Sequence, residues 1–265
     1  MVTTKVFSSP NRGFKDYWFA SGGHPSVLLK SLQSSPLRNP EEYRKDKTLS
    51  LDILSSSTEL NALTDLALLT QTGYLTIKTI EYGTSVFVGY PNKEVRTAMA
   101  QLYMEQLLGG HVAGQVGAGP IVQVLSEDGP ESLFHILNRL FLSIDYHRLP
   151  VRDEFSVRAF VQIYFAAAGL DPIVERPNSH GRSDLDVGAS NRHWLLEFKT
   201  SHGNEDAQNK LDEAVRQIEE RKYGEQISSL EKIRSIAWTK ENLFVGRSAE
   251  IRKFHHCTEP AVQSS

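Results

Sequence analysis

The hydrophobic pattern of residues 153–222 switches from helical to strand spacing and back, which limits the folds open to this chain. An apolar run with helical spacing begins at Asp153 and ends at Gly169, and a second helical pattern runs from Leu211 to Lys222. The order helix, strand, strand, strand, helix predicts an α/β core, with α+β character for the whole chain. The first helix is apolar almost all round, so we expect it to be buried. The predicted strands cover residues 172–175, 180–187 and 194–200.

An acid and a lysine stand on the third predicted strand. Glu197 and Lys199 are two residues apart, so their side chains share one face, whereas Phe198 points to the other. Charged groups on an otherwise apolar strand are costly to bury unless something polar uses them. Asp184 precedes Glu197 with twelve residues between them, a length that can place it beside Glu197 on the adjacent strand. Asp186 shares a face with Asp184 and is the alternative partner.

Two carboxylates and a lysine together suit a hard cation. Carboxylate oxygens hold Mg²⁺, and the lysine can orient a water molecule or neutralise charge on a phosphorane-like transition state. The competing interpretation is a surface hairpin with a Glu–Lys pair, but the flanking residues are too apolar for an exposed edge strand. We therefore predict a metal-dependent catalytic site at Asp184, Glu197 and Lys199.

The first half of the chain predicts helices around a β-hairpin. The pattern indicates an amphipathic helix near residues 60–67, a hairpin over residues 74–89 and a second helix from Lys93 to Gly109. Helix, hairpin, helix is the order of a winged-helix-like module. Lys78 is the single basic residue in the hairpin strands, so a scaffold role is favoured over nucleic-acid binding.

Small residues between Gly109 and Pro120 predict a flexible joint. This segment is not a phosphate-binding loop, because no Gly-Lys-Ser/Thr follows it and no strand precedes it. Helical spacing resumes over residues 131–144. The predicted organisation is a helical, winged-helix-like domain at 1–112, a linker and helix at 113–150, and the catalytic domain at 151–265.

Composition and charge exclude several classes of protein. The chain has 29 Lys+Arg against 32 Asp+Glu, a net charge of −3, which argues against a polybasic nucleic-acid binder but not against an enzyme that grips a few phosphates. Cys257 is the only cysteine, so an intramolecular disulfide and a multi-Cys zinc site are ruled out. The N-terminus lacks an apolar signal segment, and the apolar run at 159–170 is shorter than the roughly 20 residues that span a bilayer. We expect a cytoplasmic protein without membrane contact; an effector exported without a cleaved signal would look the same.

Asp184, twelve residues, then Glu197-Phe198-Lys199 resembles the D…(D/E)xK signature of the PD-(D/E)XK nuclease superfamily. Longer segments are similar to the nuclease domain that follows an AAA-ATPase-like domain in many bacterial proteins, and to the region between the ATPase core and that domain. The similarity covers most of residues 14–225. The segments that carry it are residues 16–19, 71–77, 91–96, 181–184, 196–199 and 214–223.

This resemblance implies a restriction-endonuclease-like core, a central mixed sheet flanked by helices. It makes Asp184 and Glu197 metal ligands and Lys199 the catalytic lysine. It also makes Glu154 an auxiliary carboxylate and Gln217 a helix residue that helps to order the site. The implied cofactor is Mg²⁺, with Mn²⁺ as a substitute. The implied partner is nucleic acid, DNA before RNA, with a homodimer or a protein partner left open.

The chain departs from the family at two places. It has no Gly-Lys-Ser/Thr loop of an ATPase core, so we expect no ATP hydrolysis by this chain. Val157 and Arg158 stand where a tyrosine and a histidine are expected after Glu154. Glu154 therefore has simpler alternatives, as an acid that favours the helix N-terminus or as an i,i+4 partner of Arg158. Gln217 could equally be an edge position beside the apolar stripe of its helix.

Other polar residues invite weaker interpretations. His180 and Arg182 could contact phosphate, although turn residues are commonly polar. The His255-His256-Cys257 run favours a terminal tail over a metal site, because neighbouring residues chelate one metal poorly.

These observations together predict a hydrolase, a Mg²⁺-dependent phosphodiesterase acting as a DNA endonuclease. The alternative is a catalytically inactive adaptor that keeps the nuclease fold and binds nucleic acid or a protein partner.

Overall fold

A computed structural model of the protein describes six stretches of the chain, which are residues 39–55, 64–110, 118–127, 129–144, 153–200 and 204–223. Within them, helices and two three-stranded antiparallel sheets surround a hydrophobic core. In these stretches we find no helix with the length and apolar character needed to cross a membrane.

The first sheet contains the predicted hairpin and a third strand that the sequence did not indicate. Its strands are β1 (Lys47–Ser50), β2 (Thr76–Glu81) and β3 (Ser85–Gly89), in the spatial order β1-β3-β2. The hairpin turns at Tyr82 and Gly83, whose φ angles are 52° and 70°. Glu81 pairs with Ser85, so three residues connect the strands, and the first two need left-handed backbone, which glycine adopts without cost. The predicted hairpin is confirmed.

Helices lie before, between and after these strands. The last and longest of the helices beside this sheet begins where the Asn92 side chain accepts a hydrogen bond from the Val95 amide at 2.9 Å. It ends before Gly109, whose φ of 66° suits a helix C-terminus. The order helix, hairpin, helix is therefore as predicted. The elements are a 3-10 helix (Pro40–Arg44), α1 (Leu51–Ser55), α2 (Asp65–Gln71), α3 (Lys93–Leu107), α4 (Ala118–Ser126) and α5 (Pro130–Leu142).

The C-terminal region follows the predicted order of helix, three strands and helix. A capping box between Asp153 and Ser156 fixes the start of its first helix. The three strands pair in chain order as two antiparallel ladders. The elements are α6 (Glu154–Ala167), β4 (Ile173–Asn178), β5 (Gly181–Ala189), β6 (Arg192–Leu196) and α7 (Asn204–Glu220).

Three details of the predicted fold differ from the structure. Strand β6 ends at Leu196, so the predicted strand over residues 194–200 was too long. The joint predicted to reach Pro120 gives way to α4 from Ala118, because a helix tolerates small residues and a proline in its first turn. A mixed sheet requires a parallel strand pair, whereas every strand pair in the described stretches is antiparallel.

The core passes without interruption from the first sheet to the second. Helix α6 packs against α3, and Phe160 and Tyr164 of α6 share one buried cluster with Met99 of α3. Trp194 on β6 belongs to the same cluster and donates its indole N–H to the carbonyl of Leu125 at 2.8 Å. Burial of α6 is thus confirmed, with one exception: Phe155 in its first turn is 66% exposed.

A buried arginine ties the 3-10 helix to this core. Arg96 of α3 donates to both carboxylate oxygens of Glu41, with shortest distances of 2.9 and 2.7 Å. Its remaining terminal nitrogen is 2.7 Å from Asp171 Oδ1, just before β4. The ion-pair network joins three elements at the edge of the second sheet, and Glu41 is almost completely buried.

Candidate metal and catalytic site

Strand pairing brings two of the predicted carboxylates side by side. Leu185 on β5 is paired with Leu196, the last residue of β6. Continuing this antiparallel register by one step sets Asp184 opposite Glu197, the first residue after β6, and the charge of Asp184 acts on Glu197. The twelve residues between Asp184 and Glu197 thus form a hairpin long enough to bring the two carboxylates together.

The chain leaves the sheet after β6 because side chains occupy its backbone donors. The Phe198 amide donates to Asp184 Oδ2 at 2.8 Å, and the Thr200 amide donates to Glu154 Oε1 at 2.9 Å. These carboxylates take the place of a strand partner. They hold residues 197–200 against the ends of β5 and α6.

Glu197, Lys199 and Gln217 form a closed hydrogen-bonded triangle. Lys199 Nζ is 3.3 Å from Glu197 Oε1 and 2.8 Å from Gln217 Oε1. The Gln217 amide nitrogen donates to the same Glu197 oxygen. Gln217 is supplied by α7, so this helix positions both charged groups.

Glu197 is a buried acid whose ionisation is costly. Only 1% of the surface of Glu197 is exposed to solvent. Burial, and next the charge of Asp184, raise the pKa of Glu197 to about 7, while Lys199 opposes the rise. Its second oxygen, Oε2, is buried with no hydrogen-bond partner in the described part of the chain. A buried carboxylate oxygen without a donor is an unfavourable arrangement that a bound cation would relieve.

The donor set fits Mg²⁺. This ion is usually bound through one or two protein carboxylates, keeping water molecules and substrate phosphates as its other ligands. Asp184 and Glu197 supply two such carboxylates. Among the residues described, no group of three or more His, Cys, Asp or Glu side chains is arranged to hold a metal ion.

Arg158 of α6 contacts this site, but not through the predicted partner. Its guanidinium is 3.2 Å from Glu175 Oε1 and 3.9 Å from Asp184 Oδ1. The i,i+4 pair with Glu154, one of the alternatives left open by the sequence, is not the contact that Arg158 makes, and Glu154 accepts the Thr200 amide. Glu175 lies in β4 between the residues paired with Leu185 and Ser183, with a φ of 50° that is rare for a residue with a side chain.

Asp186, the alternative to Asp184, is occupied elsewhere. It is 1% exposed, one oxygen accepts from the Ser183 hydroxyl, and the other lies 2.9 Å from His193 Nε2 and 3.4 Å from Arg176. Both oxygens are thus used within the fold. This favours Asp184 as the residue that faces a ligand.

The remaining candidates show ordinary surface contacts or lie outside the described residues. Arg182 pairs with Glu175 at 3.4 Å, and His180 contacts the hydroxyl of Ser179. The His255-His256-Cys257 run falls outside the described stretches.

Comparison with known proteins gives this arrangement a family. Residues 152–245 match the family model described as PD-(D/E)XK nuclease superfamily. This part of the chain belongs to the PD-(D/E)XK nuclease superfamily. The match contains Asp184, Glu197 and Lys199 together with Glu154 and Gln217, so every predicted site residue lies within the nuclease superfamily domain.

The chain also resembles a longer bacterial protein. It is 29% identical over 195 residues to the uncharacterized protein in the vnfD 5' region of Azotobacter chroococcum mcd 1. The similar region is 71% of this chain and 37% of that protein. The chain therefore spans little more than a third of the length of this curated relative.

Sequence reasoning missed four features at or beside the candidate site. Arg158 was noted as a departure from the family and as an alternative partner of Glu154, but not as a neighbour of Asp184, and the backbone amides of Phe198 and Thr200 carry no sequence signal. The exposed Phe155 was hidden within an apolar helical stretch. A helical wheel centred on Phe160 places Phe155 well off the face that meets α3, which is the signal that could have found it.

Proposed function

We propose that this chain is a Mg²⁺-dependent nuclease that hydrolyses phosphodiester bonds, with DNA as its substrate and internal bonds as its targets. The observation that carries the proposal is the juxtaposition of Asp184 with buried Glu197 and its Lys199 partner inside a nuclease superfamily domain. A buried acid beside a second carboxylate is unfavourable for folding alone, which favours a functional reason for it.

The proposed metal ligands are the carboxylates of Asp184 and Glu197. A divalent ion bound there supplies charge neutralisation at the scissile phosphate and lowers the pKa of a water nucleophile. Asp184 already accepts the Phe198 amide through Oδ2, which fixes the direction of its Oδ1. Mn²⁺ shares the oxygen preference and is expected to substitute.

Lys199 is the proposed catalytic cation. Its side chain is 12% exposed and its ammonium is held by Glu197 and Gln217, so it needs little reorganisation to face a phosphate. A lysine has three donors, and the two recorded contacts leave one for a water molecule or a phosphate oxygen. It would orient the attacking water or stabilise the charge that develops on phosphorus.

Gln217 and Glu154 act as positioning residues in this proposal. Gln217 bridges the lysine and the acid, while Glu154 anchors the Thr200 amide and thereby the segment that carries Lys199. Neither side chain has to touch the substrate. Their substitution should lower the rate while leaving metal binding largely intact.

Plasmid DNA tests the nuclease proposal directly. The purified protein should convert supercoiled plasmid to open and linear forms with Mg²⁺ and not with EDTA. Lys199→Ala should lose this activity, while Lys78→Ala, which removes an exposed lysine on β2, should keep it. Cleavage that survives both EDTA and Lys199→Ala would refute the mechanism, and cleavage of RNA alone would change the substrate.

The second candidate is an inactive adaptor with the same fold. Isothermal titration separates it from the enzyme, because the adaptor should bind neither Mg²⁺ nor Mn²⁺ in a manner that depends on Asp184. The unpartnered Oε2 of Glu197 favours the enzyme, since an adaptor gains nothing from a buried acid with one carboxylate oxygen left without a donor.

A further inference from the structure

A cleft of about 480 Å³ opens next to the candidate site, within the range of roughly 300–1,000 Å³ typical of ligand pockets. One side is the 3-10 helix with Lys45 and Lys47 that follow it; the other is α6 with the start of β4. We name it the α6–β1 cleft. Two hydrogen bonds join its walls: Asn39 donates to Gln162 at 2.9 Å, and Arg44 donates to the Pro172 carbonyl at 2.9 Å. Its shape is therefore held by the fold.

Arg158 belongs to both this cleft and the catalytic site. It lines the cleft, and its guanidinium lies 3.9 Å from Asp184 Oδ1. Glu175, another lining residue, is bound to the same guanidinium at 3.2 Å. A chain-like ligand lying in the cleft would thus end beside the proposed metal ligands.

The charges of the cleft favour an anion along its Lys45 side. Of the three lining acids, Glu41 is neutralised by Arg96 and Glu175 by Arg158, which leaves one exposed acid, Glu42, against the two lysines Lys45 and Lys47. Lys45 and Lys47 are separated by one residue of extended chain, so they project to the same side, and no ion pair within the described residues uses either of them. They are positioned to contact successive phosphates.

Phe155 adds an exposed aromatic surface to the same cleft. Its residue is 66% exposed although the rest of α6 is buried almost throughout. The Arg158 guanidinium lies 4.9 Å from its ring centroid and fixes the ring in place. An exposed aromatic ring beside a cationic side chain is the kind of surface on which an unpaired base stacks.

We propose that the α6–β1 cleft binds a single-stranded segment of the nucleic-acid substrate, with one base stacked on Phe155 and the adjoining phosphates held by Lys45 and Lys47. The proposal rests on the nuclease function and specifies its substrate: an unpaired strand, such as a flap, a loop or a free end, reaches the Asp184–Glu197 pair through this cleft. Residues before the nuclease domain thereby contribute half of the substrate site.

Fluorescence anisotropy tests this binding without cleavage. Full-length protein in EDTA is titrated into a labelled single-stranded DNA oligonucleotide, the RNA of the same sequence, the blunt duplex, and a strand of equal length that lacks bases. Phe155→Ala should weaken binding of the two single strands by roughly 5- to 150-fold, Phe155→Tyr should retain it, and the strand without bases should not distinguish them. Leu142→Ala, another exposed apolar residue but outside the cleft, is the matched control.

The lysines have a separate readout. If Lys45 and Lys47 each contact one phosphate, the double Gln variant should reduce the slope of log Kd against log salt concentration by about 1.4. Lys78→Gln should leave the slope unchanged. Equal affinities for wild type and Phe155→Ala, or a duplex bound as tightly as the single strand, would overturn the proposal.

Failure of the cleft and failure of the nuclease proposal are distinguishable. Single-strand binding that depends on Phe155, without Mg²⁺-dependent cleavage, would support the cleft and reject the nuclease activity. Cleavage by wild type with an unchanged KM in Phe155→Ala would support the nuclease and reject the cleft.

Discussion

In the metal-free protein, ionisation of Glu197 should lower the free energy of unfolding as the pH rises, and Glu197→Gln should remove this loss. The pKa of Glu197 is about 7 in the folded chain, against an ordinary value of 4.5. The folded protein thus keeps this proton to higher pH than the unfolded chain does. Its contribution to the free energy of unfolding is complete below pH 4.5, falls as the pH rises through 7, and is constant above that.

The size of this effect follows from linkage. At about 1.4 kcal/mol for each pH unit between the two pKa values, the ionised acid costs about 3 kcal/mol at pH 8. About 2.5 kcal/mol of this loss falls between pH 5 and pH 8. Glutamine has the same shape and does not ionise. Its amide nitrogen at the position of the unpartnered oxygen carries a penalty that is independent of pH, so the change with pH isolates the charge.

Urea unfolding in EDTA at pH 5 and pH 8 measures the effect. The free energy of unfolding of Glu197→Gln, relative to wild type, should rise by about 2.5 kcal/mol between the two pH values. Glu219→Gln, at an exposed position of α7, should change that difference by less than about 0.5 kcal/mol. Parallel pH profiles for wild type and Glu197→Gln would refute the account of Glu197 as an acid destabilised by burial and by Asp184.

Three further outcomes follow from the described contacts. Lys199→Ala should lower kcat for plasmid cleavage by at least about a hundredfold. Lys199→Arg should not restore kcat, because the geometry of a guanidinium does not match the contact with Gln217. Recovery of kcat by arginine would mean that any cation suffices at this position. In thermal unfolding, Mg²⁺ at a hundred times its Kd should stabilise wild type by about 2.7 kcal/mol and Asp184→Asn far less, so equal stabilisation would remove Asp184 from the proposed metal site. Arg96→Ala should cost about 3–5 kcal/mol in urea unfolding by leaving Glu41 buried and unpaired, and Glu41→Gln in the same chain should recover part of it; no recovery would assign the loss to packing alone.

The order of elements and the pairing of Asp184 with Glu197 were predictable because they depend on periodicity and hairpin length. Both are local properties of the sequence. The first strand, β1, was not predicted, since four residues with one buried position give almost no period to detect.

The segment after β6 shows why the rest could not be predicted. Residues 194–200 have strand composition throughout, yet the strand ends at Leu196. The backbone donors of Phe198 and Thr200 go to side chains from β5 and α6, which are remote in sequence. A prediction from hydrophobic periodicity treats these backbone donors as bonded to a neighbouring strand. It therefore continues the strand through residues 197–200, which in the structure are bonded to side chains of the candidate site.

The α6–β1 cleft lies beyond sequence reasoning for a related reason. Its two walls are more than a hundred residues apart in the chain, as the contact between Asn39 and Gln162 shows. An exposed phenylalanine on a mostly buried helix has the same letter as its buried neighbours. The helical position of Phe155 can indicate its exposure, but the position of the 3-10 helix across from it, which completes the cleft, depends on contacts remote in sequence.

The uninterrupted core between α3 and α6 has a practical consequence for anyone who dissects this protein. A fragment that begins near residue 151 would keep every proposed catalytic side chain but would bare the face of α6 on which Met99 and its neighbours rest. Large bare apolar patches favour self-association. The shortest useful catalytic fragment should therefore be sought upstream, with α3 and the 3-10 helix retained, and separate cloning of the matched nuclease region is expected to yield aggregates.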